Sequence, residues 1–194
     1  MNKWFLFYFL LLATTVRCDT KFTWCDVQKK DVLALFNQTW EAGLQKGLIR
    51  QEQRKPKIYF SDTDEKCLGR SIGWLPKGNG SAMVFCEPII RLGQNEKQFV
   101  IGHDIGHFVL GHKMTKGRKI REVMECEANV FAGRTSGPET TIRVMDQWWP
   151  TQSKGFKAYK MNSKEHQKEI SIYQISFEKA TFVLRGAVAG CQQQ

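Results

Sequence analysis

The sequence predicts a single α+β domain. The chain has 194 residues, a length that suits one domain, and no internal repeat or low-complexity tract divides it. Its predicted strands cluster between residues 57 and 86, while its predicted helices lie before and after that region. A hydrophobic content of 42% is too high for wholesale disorder, and a mean hydropathy of −0.40 argues against a polytopic membrane protein.

The first eighteen residues have the pattern of a signal peptide. Lys3 supplies positive charge, and Trp4 to Ala13 is an almost unbroken apolar run. Such a run is too short to cross about 30 Å of hydrocarbon as a helix, but it suits the central region of a signal peptide. We therefore predict cleavage near Cys18 and a mature domain over residues 19–194 that is secreted or periplasmic and has no transmembrane helix. The alternative is that the segment is retained as a membrane anchor.

Periodicity and turn residues predict the elements that follow. Apolar residues at roughly helical spacing predict a first helix over 26–48. Short strands are predicted over 57–61, 71–75 and 83–86. The linker between the last two, Pro-Lys-Gly-Asn-Gly-Ser, is rich in turn residues, so we expect a hairpin and a short antiparallel sheet.

Helices dominate the second half of the chain. Apolar positions predict helices over 96–113, 120–134 and 138–149. The helix over 120–134 is expected to end near Ser136-Gly137-Pro138, and the helix over 138–149 at Pro150. A loop over 151–161 and a helical or mixed element over 163–188 complete the prediction.

Five cysteines remain after residue 18. In an exported protein this number predicts two disulfides and one free thiol. Cys67 and Cys86 bracket the expected hairpin and are the favoured pair. There is no Cys-x-x-Cys pattern, so neither a zinc knuckle nor a thioredoxin-like site is indicated.

Two histidines on the predicted helix over 96–113 have the spacing of metal ligands. His103 and His107 are four residues apart, which places both imidazoles on one helix face. Zinc is the ion expected for imidazoles combined with a carboxylate, and a tetrahedral site needs a third protein ligand. His112 is a poor candidate, because five residues correspond to about 140° around a helix.

A carboxylate on the next helix is the expected third ligand. Glu127 is favoured, because its neighbours Ala128 and Ala132 are small and Gly106 leaves room for a close approach of the two helices. Glu125 is the alternative ligand, and Glu122 is the least favoured of the three.

Asp104 follows the first histidine, where the His-Glu-x-x-His pattern places a general base. An aspartate is one methylene shorter than a glutamate, so its oxygens sit about 1.5 Å further back if nothing moves. Because proton transfer needs hydrogen-bond reach, we expect Asp104 to be the catalytic residue of a site whose activity is reduced, redirected or absent unless the backbone or a second water compensates.

The two segments GHDIGHFVLGH and ECEANVFAGR resemble the helix pair of zinc-dependent metallopeptidases of the ImmA/IrrE type. The matching residues lie within 99–134: His103, Gly106, His107, Leu110 and His112 in the first segment, and Glu125, Glu127, Ala128, Asn129, Phe131 and Ala132 in the second. The resemblance implies a small zincin-like metallopeptidase domain that binds one zinc ion. It also implies a sheet before the active-site helix and a protein or peptide substrate extended beside an edge strand.

The chain departs from that family in two respects. Asp104 stands where the family has glutamate, and a signal peptide is predicted although the family is generally intracellular. The substrate and biological role are therefore not carried over. A catalytically weak or inactive metal-binding or partner-binding module of the same fold is the main alternative.

The letters HDIGH also resemble the HD-domain phosphohydrolases, in which His-Asp is a metal-ligand pair. Such a site needs a second histidine well upstream and an aspartate well downstream. Asp146 could be the aspartate, but no histidine precedes His103. This alternative is therefore the least favoured of the three.

The formal net charge is +10, and part of it is local. A basic run joins the two proposed metal-binding helices: Lys113, Lys116, Arg118, Lys119 and Arg121. Such runs usually form a solvated loop, and an acidic partner or an anionic envelope surface is the alternative. No nucleic-acid-binding motif is present, so no nucleic-acid partner is expected.

Overall fold

The computed structural model describes residues 24–61, 72–77, 80–113, 117–155 and 163–192. The predicted signal peptide over 1–18 and the predicted partner Cys67 lie outside these residues, so both stay predictions. Within the described ranges, no helix combines the length and the apolar character that a membrane span requires.

Five α-helices and three strands make up the regular structure of the described residues. They are α1 (Asp26–Gln45), β1 (Lys57–Ser61), β2 (Ile72–Lys77), β3 (Gly80–Cys86), α2 (Gln94–Val109), α3 (Arg118–Ser136), α4 (Pro138–Gly155) and α5 (Ser163–Leu184). A 3₁₀ helix over Glu87–Arg91, with a proline in its first turn, leads from β3 toward α2. The α+β class is confirmed.

The three strands form one mixed sheet in the order β1-β3-β2. β2 and β3 are antiparallel, with Ile72 opposite Phe85, which confirms the hairpin. β1 runs parallel to β3, with Lys57 opposite Ala82, so the expectation of an antiparallel sheet is wrong for this pair. The turn residues specify the hairpin locally, whereas parallel neighbours are joined only through a longer connection that leaves no comparable signal.

The sheet and the helices share one hydrophobic core. The central strand β3 contributes Met83 and Phe85, which are fully buried. Phe36 of α1 contacts Phe85 with the ring centroids 6.4 Å apart. Trp40, one turn further along α1, contacts Phe108 of α2 at 6.2 Å. These aromatic contacts hold α2 between the sheet-facing helix α1 and the rest of the helical layer.

Helices α2 and α3 pack unusually closely. A Cβ atom added to Gly106 would lie 3.0 Å from the Phe131 Cβ and 3.1 Å from the Ala128 Cα. A Cβ atom added to Gly102 would lie 3.1 Å from the Ala132 Cα. The expectation that Gly106 and the two alanines permit a close approach is therefore confirmed.

Helix α4 continues through Pro150 to Gly155, so the predicted end at Pro150 and the loop over 151–155 are wrong. A proline removes one backbone N–H donor and disfavours a helix locally, but such preferences are weak beside tertiary packing. Residues 156–162 lie outside the described ranges.

A disulfide joins Cys126 of α3 to Cys191 after α5, with the Cα atoms 5.9 Å apart. Cys25 and Cys86 are also disulfide-bonded, so the described cysteines include no free thiol. The Cys126–Cys191 bond fixes the end of the chain against the helix that carries Glu125 and Glu127.

Candidate metal centre

Helices α2 and α3 bring His103, His107 and Glu125 together. The two imidazole Nε2 atoms are 3.0 Å apart. The Oε2 atom of Glu125 is 3.2 Å from Nε2 of His103 and 3.5 Å from Nε2 of His107. Among the described residues, these are the ones whose histidine, cysteine or carboxylate groups converge closely enough to hold a metal ion.

The dimensions of this triangle match those of a zinc site. Zinc binds imidazole nitrogen and carboxylate oxygen at about 2.0–2.2 Å, which puts neighbouring ligands of a tetrahedron about 3.3 Å apart. The three observed separations, 3.0, 3.2 and 3.5 Å, lie on both sides of that value. The three atoms therefore have the spacing that one tetrahedral ion requires.

Glu125, rather than the favoured Glu127, lies beside the two histidines. The reason is helical periodicity, because residues three and seven positions apart share a face. Glu125 is three residues before Ala128 and seven before Ala132, the two alanines that pack on α2. Glu127 contacts His112 instead, with its Oε2 3.1 Å from the His112 Nε2. The structure therefore brings the alternative ligand Glu125, and not Glu127, to the two histidines.

The outer nitrogen of His103 is held by Asn129. Its Nδ1 lies 2.8 Å from the Asn129 Oδ1. The Asn129 amide donates through Nδ2 to the Ser176 Oγ at 3.4 Å, and that hydroxyl donates its own proton to the Tyr173 carbonyl at 2.7 Å. This order of donors leaves Oδ1 facing the imidazole, so Nδ1–H of His103 is the donor and Nε2 carries the lone pair.

The outer nitrogen of His107 is held by His112. The two Nδ1 atoms are 2.9 Å apart, and Nε2 of His112 contacts the Glu127 carboxylate. A carboxylate only accepts hydrogen bonds, so Nε2–H of His112 is the donor to Glu127. Neutral His112 then accepts at Nδ1, which makes His107 the donor and leaves its Nε2 with the lone pair.

His112 reaches this position because helix α2 has already ended. The backbone N–H of His112 bonds to the His107 carbonyl at 3.0 Å, and that of Gly111 bonds to the Phe108 carbonyl at 3.2 Å. Gly111 has a φ of 68°. This is a Schellman motif, in which a left-handed glycine turns the chain back over the last helical turn. The helical angle used to place His112 does not apply beyond that turn.

Three acceptor atoms therefore face one point. Both Nε2 atoms carry lone pairs, and the buried Oε2 of Glu125 has no hydrogen-bond donor aligned with it among the described residues. A buried carboxylate oxygen without a partner is costly. A cation at the centre of the triangle, either a proton or a metal ion, would satisfy all three atoms.

The pKa directions of His103, Glu125 and His112 agree with three acceptor atoms that attract a cation. Burial lowers the pKa of His103, but the contact and charge of Glu125, the charge of Asp104 and the bond to Asn129 hold it above its ordinary value. Burial raises the pKa of Glu125, and the adjacent imidazoles reverse this and hold it far below its ordinary value. For His112, burial and the neighbouring His107 lower the pKa despite the contact with Glu127. The lowered pKa of Glu125 favours its anionic form, and the lowered pKa of His112 favours its neutral form.

Asp104 is half-buried and lies on α2 between the two histidines. Its charge contributes to the raised pKa of His103, which places it within electrostatic range of the centre. It is not one of the three converging groups.

The other candidates lie elsewhere. Glu122 pairs with Arg118 at 2.8 Å, and Arg118 also donates to the Ser171 hydroxyl of α5. Asp146 is exposed on α4 and is not part of the converging group. In the described part of the basic run, Lys113 and Lys119 are exposed, while Lys116 lies outside the described residues.

Sequence reasoning did not assign roles to Asn129, Ser176 and the backfolded His112. Asn129 is four residues after Glu125, and this spacing on one helix face was a usable signal. For His112 the signal was Gly111, because a glycine at the end of a helix predicts a Schellman turn. Ser176 lies on α5, forty-seven residues from Asn129, and left no local signal.

The interpretation of this site rests on its geometry and on the sequence pattern around it. No family model, curated protein or solved structure matches this chain.

Proposed function

We propose that this protein is a zinc-dependent metallopeptidase-like hydrolase. The observation that carries the proposal is the triangle of His103 Nε2, His107 Nε2 and Glu125 Oε2, whose sides fit a tetrahedral ion. Two histidines and a glutamate are a ligand set typical of catalytic zinc, whereas structural zinc sites rely mainly on cysteine. The matching segments around both helices support the same function.

When bound, zinc supplies Lewis acidity that polarises a carbonyl oxygen and lowers the pKa of water toward about 7. The protein's own contribution is to hold the ligands in place. Asn129 and His112 direct the Nε2 atoms of His103 and His107 to a common point. Asp104 follows the first histidine, where the His-Glu-x-x-His pattern has its general base, and would act as the proton acceptor.

A second candidate function follows from the length of the Asp104 side chain. Asp104 is one methylene shorter than the glutamate expected at this position, which would withdraw the proton acceptor from the reacting water. In that case the centre holds zinc without turnover and the protein is a metal-binding or partner-binding module.

Peptidase assays on zinc-loaded wild type, Asp104→Asn and Asp104→Glu separate the two functions. A general base contributes about 10²- to 10⁴-fold to a rate, so Asp104→Asn should lose activity by that factor if the protein is a peptidase. Asp104→Glu should retain or increase it. Zinc binding without peptide cleavage in all three proteins would favour the module. Hydrolysis of phosphate esters instead would favour the HD-type alternative.

Export to an oxidising compartment is part of the proposal. Its support is the signal-peptide pattern together with the Cys126–Cys191 disulfide, since such bonds persist mainly outside the reducing cytosol. The exposed basic residues beside the site, Lys113 and Lys119, would favour an acidic peptide or an anionic surface. Fractionation of cells that express the full chain, with immunodetection of the mature form, tests the location.

A further inference from the structure

We propose that His112 and Glu127 form a positioning relay that sets the tautomer and ring orientation of His107. The functional consequence rests on the proposed zinc site, but the relay itself is a property of the metal-free protein. Neither residue touches the centre of the triangle, so both act through His107.

The relay has a defined direction. The Nδ1–H of His107 donates to Nδ1 of His112 at 2.9 Å, and the Nε2–H of His112 donates to Oε2 of Glu127 at 3.1 Å. Reversing the first bond would require a proton on Nδ1 of His112. The neutral His107 ring would then carry its own proton on Nε2, the atom that faces His103 and Glu125. Only the direction from His107 to Glu127 leaves that Nε2 free for a metal ion.

The relay also resists rotation of the ring. An imidazole that turns by 180° about its Cβ–Cγ bond exchanges the positions of nitrogen and carbon at its edge. In His107 such a turn would break the hydrogen bond at Nδ1 and would move Nε2 out of the triangle with His103 and Glu125. The His112 side chain is only 8% exposed, so little water is available to replace the lost partner. Outer partners of this kind typically change metal affinity by 10- to 100-fold.

The fold fixes the backbone positions of both relay residues. Gly111, with φ at 68°, turns the backbone so that His112 lies over the last turn of α2. Glu127 comes from α3, whose position against α2 is set by the contacts at Gly102 and Gly106. The relay therefore spans the same pair of helices as the proposed zinc ligands.

Nitrogen-15 NMR of the histidine rings in metal-free full-length protein, at about pH 8.5 where an ordinary histidine is neutral, reads the tautomers directly. We expect the Nδ1–H form for His107 and the Nε2–H form for His112. In His112→Phe, which keeps a ring but removes the acceptor, His107 should lose its single tautomer. His103 is the internal control, because its Asn129 partner is untouched. A Nε2–H tautomer for wild-type His107 would overturn the relay.

Matched variants guard against a simple folding defect. His112→Asn keeps an acceptor close to the Nδ1 position, and Glu127→Gln keeps an oxygen that can accept from His112, so both should preserve the His107 tautomer. Glu127→Leu removes the acceptor and should disturb it. Equal spectra for Glu127→Leu and wild type, with both folded by circular dichroism, would contradict the proposal.

Zinc affinity, measured by competition with a chelator, gives a separate result. We expect a 10- to 100-fold loss in His112→Phe and recovery of most of it in His112→Asn. Wild-type protein with the expected tautomers but no zinc binding would leave the relay standing and refute the proposed function. Zinc binding that is equal in His112→Phe, His112→Asn and wild type would refute the effect of the relay on zinc affinity and leave the proposed function standing.

Discussion

Glu125 and Glu127 differ by two positions on one helix and have different partners. Glu125 faces α2 and completes a triangle with two imidazoles, whereas Glu127 contacts His112 behind it. Two residues correspond to about 200° of rotation, so a single helix cannot present both side chains to the same ion. The pair therefore provides a test in which each variant is the control for the other.

We expect Glu125→Gln to weaken zinc binding by more than about 100-fold, because losing a direct ligand should exceed the 10- to 100-fold effect of an outer partner. Glu127→Gln should bind zinc within about tenfold of wild type, since its amide oxygen can still accept from His112. Equilibrium competition with a chelator measures both. Weaker binding in Glu127→Gln than in Glu125→Gln would restore Glu127 as the ligand.

The response of stability to pH follows from His103 and Glu125. The raised pKa of His103 stabilises the metal-free fold below its ordinary value of 6.5, and this contribution is lost as pH rises through the folded-state pKa. The lowered pKa of Glu125 stabilises the fold above its ordinary value of 4.5, and this contribution is lost as pH falls through the folded-state pKa. Together the two shifts stabilise the metal-free fold most between pH 4.5 and pH 6.5.

If the triangle binds zinc as proposed, zinc competes with protons for the same three atoms and reverses the pH preference on the alkaline side. We expect zinc affinity to rise by about tenfold per pH unit for each proton displaced, between about pH 5.5 and 7.5. Thermal unfolding with and without zinc measures the change. A zinc-induced shift in Tm that stays constant over this range would show that no proton is displaced from the site.

At the scale of elements, the site depends on how closely α2 approaches α3. Gly102 and Gly106 lie against the backbone of Ala132 and Ala128, which allows Glu125 to reach the histidines on the facing helix. Backbone atoms on the opposing side cannot move away as a flexible side chain could. A Cβ at either glycine would therefore require the facing helix to move by a few tenths of an ångström.

Gly106→Ala should destabilise the fold by about 1–3 kcal/mol, the usual cost of overpacking, even though alanine has the better helix propensity. It should also weaken zinc binding by moving Glu125 away from His103 and His107. Urea denaturation and zinc titration measure the two effects.

Gly190→Ala is the matched control, because a Cβ at that position meets nothing within 4 Å and should leave stability and zinc binding unchanged. A Gly106→Ala protein as stable as Gly190→Ala would mean that the two helices have room to spare.

At the scale of the whole molecule, the Cys126–Cys191 disulfide connects the C-terminal segment to the site. Cys126 is fully buried beside Glu125, and its partner lies 65 residues later. The side chains between them include Ser176, which supports Asn129 and through it His103. The packing of α5 and the geometry of the metal centre are therefore linked.

Removing this disulfide in a Cys126→Ala/Cys191→Ala variant should lower the free energy of unfolding by about 4 kcal/mol, the chain-entropy estimate for a loop of this length. Chemical denaturation of the oxidised proteins measures the loss. If zinc affinity falls as well, the support through Ser176 is lost with the bond. A stability change below about 1 kcal/mol would mean that α5 is held by packing alone.

The sequence by itself determined the features that rest on local periodicity and turn chemistry. These are the α+β class, the β2–β3 hairpin, the positions of most helices and the two histidines on one helix face. It also predicted the close approach of α2 and α3 through Gly106, Ala128 and Ala132. The secondary-structure elements depend on residues within a few positions of one another, where side-chain period and glycine or proline content are informative. The close approach was predicted from small residues that recur within each of the two helices.

Only the tertiary structure decided which groups meet. It paired β1 with β3 in parallel, carried α4 past Pro150 and chose Glu125 over Glu127. It also brought Ser176 to Asn129 across forty-seven residues and folded His112 back onto His107. The sequence offered three glutamates and several polar partners. The packing of one helix on another left a single carboxylate on the face that meets both imidazoles.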